Sequence, residues 1–234
     1  SGEVKPEEEE QTHDIGAAVK CGFLPEPVGG YPHPKELLGD LVDEDVSDVL
    51  RSGKFPSDFC TRTYPKPAYT KTQKMLRAAR EPDPTGKPLV AGKGCCVTEH
   101  AYSKHKESVV KKFDAMLKNG GVIPHQFQTR KFAQRILNPE WPPEGPNITA
   151  TSLPDDYVHF SQPRTLTVRE WARLQMFPDW YQFSGKRTTG GNRRAGNPLE
   201  GNFYREVPKY TQIGNAVPVK LALEIGRHLA EEIL

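Results

Sequence analysis

No apolar run in the 234 residues is long enough to cross a bilayer, and the opening residues carry no hydrophobic signal-peptide core. The expectation is a soluble intracellular protein with no membrane attachment. Cysteine is scarce as well. Two of the four stand side by side at Cys95 and Cys96, which is no disulfide framework and points to reduced thiols. Hydrophobic residues reach only 35%, against 22 prolines and 20 glycines. A moderate core is therefore expected, as one domain or two small ones, with long connections between elements.

Charge is nearly balanced in total and uneven along the chain. Residues 1–60 hold 14 acidic and 5 basic side chains, a balance of −9, while residues 61–234 hold 27 basic and 16 acidic, a balance of +11. An acidic lead and a basic body suit a protein whose later part meets a polyanion; a solvated charged face is the competing reading.

The first eleven residues, with an unbroken acidic run from Glu7 to Glu10, read as linker. Helix patterns follow from Pro34 to Leu41 and around Val46, Val49 and Leu50. Residues 52–70 read as extended chain, broken by Pro56, Pro65 and Pro67, with Phe55, Phe59, Tyr64 and Tyr69 spaced as anchors onto a core. A helix is expected over 70–80, ended by Glu81-Pro-Asp-Pro-Thr-Gly86. Another is expected over 103–119, with Val109, Val110, Phe113, Met116 and Leu117 on its apolar side and Gly120-Gly121 as its stop.

Two small motifs offer little. Leu89-Val-Ala-Gly-Lys-Gly-Cys-Cys96 starts like a phosphate-binding glycine turn, but Val97 stands where the third glycine belongs. Cys95, Cys96, His100 and His105 suggest a zinc-dependent interaction module, yet adjacent cysteines lack the spacer that brings two sulfurs onto one tetrahedral ion. No metal site is assigned.

Two longer stretches carry the argument. In Arg164-Thr-Leu-Thr-Val-Arg-Glu-Trp-Ala-Arg-Leu-Gln-Met-Phe-Pro-Asp-Trp-Tyr181, Thr167 and Glu170 form a capping box. Val168, Trp171, Ala172 and Gln175 share a helix side, and Pro178 ends the helix. Strands are expected just upstream, over 146–151 and 156–160. In Tyr210-Thr-Gln-Ile-Gly-Asn-Ala-Val-Pro-Val-Lys-Leu221, Gly214-Asn215 reads as a turn and Pro218 as the first turn of a final helix. Val219, Ala222, Leu223, Gly226, Ala230 and Ile233 would be its buried face. The start of that helix is a ready anion site.

These stretches resemble, in order, the penultimate and last sequence motifs of the cytosine-C5 DNA methyltransferases. Weaker similarity covers Leu37 to Leu41 and Ile148 to Phe160. The resemblance implies a mixed α/β chain equivalent to the carboxyl-terminal portion of a Rossmann-like, S-adenosylmethionine-dependent enzyme with a small, loop-rich recognition domain. The implied divisions are an acidic linker and catalytic-domain edge over 1–60, a target-recognition region over 61–163, and the two motifs over 164–234.

The family's chemistry needs a Pro-Cys thiolate, a Glu-Asn-Val carboxyl group and a Phe-x-Gly-x-Gly cofactor loop. Cys21, Cys60, Cys95 and Cys96 follow Lys20, Phe59, Gly94 and Cys95, and neither other motif occurs. No catalytic residue is therefore assigned in this chain. The catalytic half is expected as a separate subunit or an amino-terminal part, and the chain alone is expected to be inactive.

By the same resemblance, Asn215, Ala216 and Val217 would wall part of the S-adenosyl-L-methionine pocket. Thr149 and Thr151 are candidates for groove contacts on double-stranded DNA. Lys186, Arg187, Arg193 and Arg194, in a Gly- and Arg-rich stretch, are candidates for phosphate contacts. Arg164, Thr167, Arg169, Glu170 and Arg173 suit a structural hub at the joint between the recognition and catalytic parts. The last helix would then dock its apolar face on the catalytic part, leaving that face exposed in this chain alone. The alternative is a non-catalytic DNA-binding or scaffolding remnant of such an enzyme.

Overall fold

The structure is a computed structural model that describes residues 25, 32–128, 134–140, 157–188, 198–201 and 203–233. The chain divides into two units, Pro32–Ala216 and a second made of Ser1–Tyr31 with Val217–Leu234. The strand expected over 146–151 lies outside the described residues.

The larger unit is mostly short helices joined by extended chain. Helix α1, Pro34–Leu38, starts with a proline where its missing N–H costs nothing, and it runs into a 3-10 turn, Gly39–Leu41. Helix α2, Ser47–Ser52, stops at Gly53, whose φ of +63° gives the left-handed cap that glycine adopts without strain. Helix α3, Lys71–Leu76, is shorter than the 70–80 expectation. Thr70 and Gln73 close its capping box, and beyond Leu76 the chain turns outward to bridge Ala78 with Val90.

Helix α4, Glu107–Lys118, begins later than expected from residue 103. Val110, Phe113 and Met116 are its buried face, while Lys111 and Lys118 pair on the surface with Glu107 and Asp114. Strands β1, Arg135–Ile136, and β2, Tyr157–Val158, pair in parallel, with Arg135 opposite Tyr157 and Ile136 opposite Val158. Helix α5, Val168–Leu174, carries the capping box of Thr167 and Glu170.

The last motif is built differently from its expectation. Lys209–Asn215 is helix α6, with Pro208 at its cap, so Gly214-Asn215 is the closing turn of a helix and no turn precedes it. The break falls one residue later because Pro218 drives its predecessor out of helical geometry, and Ala216 is already extended at φ −79°, ψ 143°.

One core gathers both motifs. Leu37 and Leu38 of α1, Leu76 of α3, Val168, Trp171, Ala172 and Leu174 of α5, and Tyr210 and Ile213 of α6 form a single buried cluster with Leu137, Tyr157, Leu166 and Phe183. Each such side chain contributes roughly 1.5–3 kcal/mol by leaving water. Smaller clusters tie down the extended chain: Leu41 with Tyr64 and Val97, and Leu50 with Phe55 and Tyr102. Of the four anchoring aromatics expected in 52–70, Phe55 and Tyr64 are buried and Phe59 packs against its cluster, whereas Tyr69 is 65% exposed.

In the second unit the described element is helix α7, Val219–Ile233. The apolar face, expected to dock on the catalytic part and to be exposed in this chain alone, is open. Leu223 is 50% exposed, and Leu221 and Leu229 beside it are 49% and 45% exposed. No helix among the described residues is long and apolar enough to cross a membrane.

Candidate functional site

Helix α5 is buried all round, although three of its seven residues are charged. Arg169, Glu170 and Arg173 have no exposed surface, and Arg164 just ahead of the helix has almost none. Taking an ion out of water costs several kcal/mol, so each of these groups requires partners.

Arg164 lays its guanidinium flat against Glu170, with Nη1 donating to Oε2 and Nη2 to Oε1, both at 2.7 Å. Its Nε donates to Gln162, and its face lies 5.0 Å from the Tyr102 ring centre. Glu170 also accepts the backbone N–H of Thr167 at 2.8 Å, while the Thr167 hydroxyl accepts that of Glu170 at 3.2 Å. One carboxylate thus completes a helix cap and a bidentate ion pair. Burial works against its charge, but Arg164 outweighs burial and holds Glu170 well below the usual carboxylate range. Burial likewise opposes the charge on Arg164, and Glu170 reverses this and raises its pKa.

Arg173 bridges two carboxylates. It donates to Asp40 Oδ1 and to Asp179 Oδ2, each at 2.6 Å, and to the carbonyl of Leu37 at 2.7 Å. Arg77 reaches Asp40 from another side at 2.5 Å and stacks 3.7 Å above the Tyr64 ring. The Tyr64 hydroxyl donates to Asp179 Oδ2 at 2.7 Å. Burial, with Asp179 beside it, pushes the Tyr64 hydroxyl up and keeps it a neutral donor. Burial opposes ionisation of Asp179, but Arg173 prevails and lowers its pKa. Arg169 binds mainly oxygens of the backbone, those of Thr98, Pro178 and Tyr181, plus the Thr98 hydroxyl. With Asp179 only at 3.8 Å, burial dominates and lowers its pKa.

Two histidines are sealed into the same hub. The carbonyl of Leu41 can only accept, so His100 Nε2 holds the proton and donates to it at 3.1 Å; Nδ1 accepts from the Thr167 hydroxyl at 2.9 Å. Burial pushes His100 down to about 4. His159 accepts the Ser161 N–H on Nδ1 and turns Nε2 toward Glu170 Oε1 at 3.6 Å; burial and Arg164 push it down to about 3. His105, on Thr165, is pushed down to about 4 by burial. Cys95 and Cys96 are exposed free thiols, and among the described residues no cluster of three metal-ligating side chains occurs.

The hub therefore joins four stretches of chain around α5: 37–41, 64–77, 98–102 and 162–181. A second link reaches α6. Lys209 donates to Glu99 at 2.6 Å, the carbonyl of Glu99 accepts the Arg169 N–H, and the Tyr210 hydroxyl donates to the carbonyl of Leu166. Asp40, Arg77 and Asp179 were not singled out from sequence, and Tyr64 was read only as an aromatic anchor. Asp40 and Asp179 lie inside the resembling segments, where an acidic residue amid leucines, or after Phe-Pro, was the signal available.

The other candidates are scattered. Asn215 ends α6 and is exposed, Ala216 is half-buried, and Val217, in the second unit, is 60% exposed. Lys186 pairs with Glu206 at 3.1 Å. Arg187 spends its Nη1 on the carbonyls of Ala101 and Tyr102, at 3.2 and 3.1 Å, so it braces the chain. Thr149, Thr151, Arg193 and Arg194 lie outside the described residues.

Comparison with known proteins adds direct relatives. Residues 50–231 match the C-5 cytosine-specific DNA methylase family. The chain is 31% identical over 149 residues to the type II methyltransferase M.DdeI of Desulfomicrobium norvegicum, covering 58% of this chain and 33% of that one. It is 26% identical over 234 residues to the type II methyltransferase M1.HphI of Haemophilus parahaemolyticus, covering 97% of this chain and 51% of that one. To the type II methyltransferase M.AquIB of Picosynechococcus sp. it is 30% identical over 138 residues, covering 59% of this chain and 91% of that one. The chain thus spans a third to a half of two of these relatives and nearly all of the third. Since the family match takes in α3 to α7 and both motifs sharing the central core, this chain belongs to the C-5 cytosine-specific DNA methylase family.

Proposed function

We propose that this chain supplies target recognition and part of the cofactor pocket to an enzyme that methylates C5 of cytosine in double-stranded DNA with S-adenosyl-L-methionine. The observation that carries this is the hub around α5. It clamps a basic, loop-rich stretch from region 61–163 onto the core shared by the two motifs, as a reader of DNA fixed to a catalytic frame requires. Arg164, Arg169, Glu170 and Arg173, with Thr167 capping, are in this reading positioning residues at the joint. Residues 61–163 face the DNA, with Thr149 and Thr151 toward the groove and Arg193 and Arg194 toward phosphate.

By the family resemblance Asn215, Ala216 and Val217 are assigned to the cofactor wall, and the exposed Asn215 is open to a polar ligand. When bound, the cofactor supplies the methyl group. This chain's own part is to bind and orient, since the thiol that adds to C6 of the base and the acid that assists it have no counterpart in its sequence. Those groups come from a Rossmann-like catalytic half, carried as a separate subunit or an amino-terminal part. M.AquIB, shorter than this chain and covered over nine-tenths of its length, favours a methyltransferase component of this extent.

The test is transfer of labelled methyl to cytosine DNA, by this chain alone and together with a family segment bearing Pro-Cys and Glu-Asn-Val. The chain alone is expected to be inactive and the pair active. Turnover by the isolated chain overturns the division of labour. Inactivity of every pairing, with DNA still bound, supports the scaffolding remnant instead.

A further inference from the structure

A cavity of about 420 Å³ opens beside the hub, between the 77–91 loop and the chain that follows α5. Its size falls in the range of small-molecule sites, roughly 300–1,000 Å³. The floor is rigid, because Tyr64 is held from above by Arg77 at 3.7 Å and at its hydroxyl by Asp179 at 2.7 Å. Leu89 and Val90 form an apolar side while remaining 53% and 43% exposed. An apolar pair left in water beside a pre-formed hollow gains by being covered.

The rim is polar and specific in kind. Trp180 is 44% exposed, and the Arg80 guanidinium lies 5.7 Å from its ring centre. Among the described residues Arg80 is otherwise engaged by Glu81, at 3.7 Å with both side chains in water. Gln182 lines the same cavity, is exposed, and has no partner among the described residues. A carboxamide offers a donor and an acceptor in one plane, the pattern that reads the edge of a base. The Asp179 carboxylate at the floor is wholly engaged by Arg173 and Tyr64, so the cavity presents no free carboxylate to repel an electron-rich ligand.

A flat indole, an amide, a guanidinium beside the indole and apolar walls form a site for a planar heterocycle attached to an anion. We propose that this cavity holds a nucleobase unstacked from DNA, with Trp180 as the stacking platform, Gln182 on the base edge and Arg80 on the adjoining phosphate. The proposal rests on the reading that residues 61–163 face DNA, and it names one site, walled by that region and by the chain after α5, that grips a base and not only the backbone.

The full 234-residue chain is titrated, at fixed salt, with a paired duplex and with the same duplex carrying one unpaired base. Tryptophan emission and alkylation of Cys96, an exposed cysteine that lines the cavity, are followed together. The bulged duplex is expected to bind about tenfold tighter, to quench emission and to shield Cys96. W180A and Q182A are expected to erase the preference, W180F to keep most of it, and R80A to weaken both duplexes. Equal affinity for the two duplexes, a preference that survives W180A, or an unshielded Cys96 overturns the pocket while leaving DNA binding intact. If neither duplex binds, both the pocket and the DNA-facing reading fall.

Discussion

Glu99 and Lys209, 110 positions apart, meet at 2.6 Å, and Glu99 does so from a backbone φ of +63°. A non-glycine residue in that region carries strain, which persists only when its surroundings hold it there. Here the hold is double. The Glu99 carboxylate takes Lys209 at the start of α6, and its carbonyl takes the N–H of Arg169 in α5.

The pair is mostly buried, at 14% and 19% side-chain exposure. K209M is therefore expected to cost about 1–3 kcal/mol, between the values for surface and buried pairs. E99G removes the carboxylate but also the strain, so it is expected to cost less than E99Q. Urea unfolding of E99Q, K209M and the double variant measures the coupling. Purely additive costs would mean that the ion pair contributes nothing.

Arg173 is expected to be the least replaceable residue of the hub. It balances two carboxylates that have no water to turn to, so R173M leaves Asp40 with Arg77 alone and Asp179 with the Tyr64 hydroxyl and the distant Arg169. Breaking a buried pair in this way costs about 3–5 kcal/mol. R173K keeps the charge but not the fork that serves three acceptors, and it is expected to lose at least half as much. Circular dichroism and thermal unfolding check both variants. A wild-type melting temperature for R173K would refute the need for bidentate geometry.

Acid is expected to unfold the protein in two stages. His100, His105 and His159 are pushed down to about 4, 4 and 3, from an ordinary value near 6.5. Below pH 6.5 the unfolded chain therefore binds more protons than the folded one, and stability falls by up to about 1.4 kcal/mol per histidine per pH unit. Glu170 and Asp179, whose pKa values are lowered in the fold, add their loss as pH drops through the ordinary carboxylate range. Denaturant unfolding at successive pH values should be flat from about 8 to 7 and fall between about 6.5 and 5. A flat profile down to about pH 5 would contradict neutral burial of these rings.

Capping and punctuation were legible in the sequence. Thr167 and Glu170 announced their box, and Pro34 opened a short helix, through constraints that live within a few residues. The distant partners of the buried charges around α5 were not legible, because Asp40 and Arg77 reach them across long stretches of chain. The same holds for Lys209 and Glu99. The Gly214-Asn215 turn was misplaced for a local reason. Glycine permits a turn without requiring one, whereas Pro218 requires a break immediately before itself. The apolar stripe of α7 states that a partner surface is wanted, and its face is open in this chain.

Arg187 and the Arg193-Arg194 pair stand in one Gly-rich stretch, yet they should answer differently to the same substitution. The Arg187 Nη1 caps the carbonyls of Ala101 and Tyr102, next to the residues that Thr167 and Arg169 bind. R187A should therefore lower stability by about 1–2 kcal/mol, the cost of leaving part-buried acceptors unpaired, and leave the salt dependence of DNA binding as it was. Replacing Arg193 and Arg194 with alanine should do the reverse. Melting would be unchanged, binding weaker, and the slope of log K against log salt smaller by about 0.9 for each phosphate no longer neutralised. Binding measured between roughly 50 and 200 mM salt, the span over which phosphate neutralisation dominates affinity, separates the two. A slope that changes for R187A and not for the pair would reverse the assignment of brace and phosphate ligand.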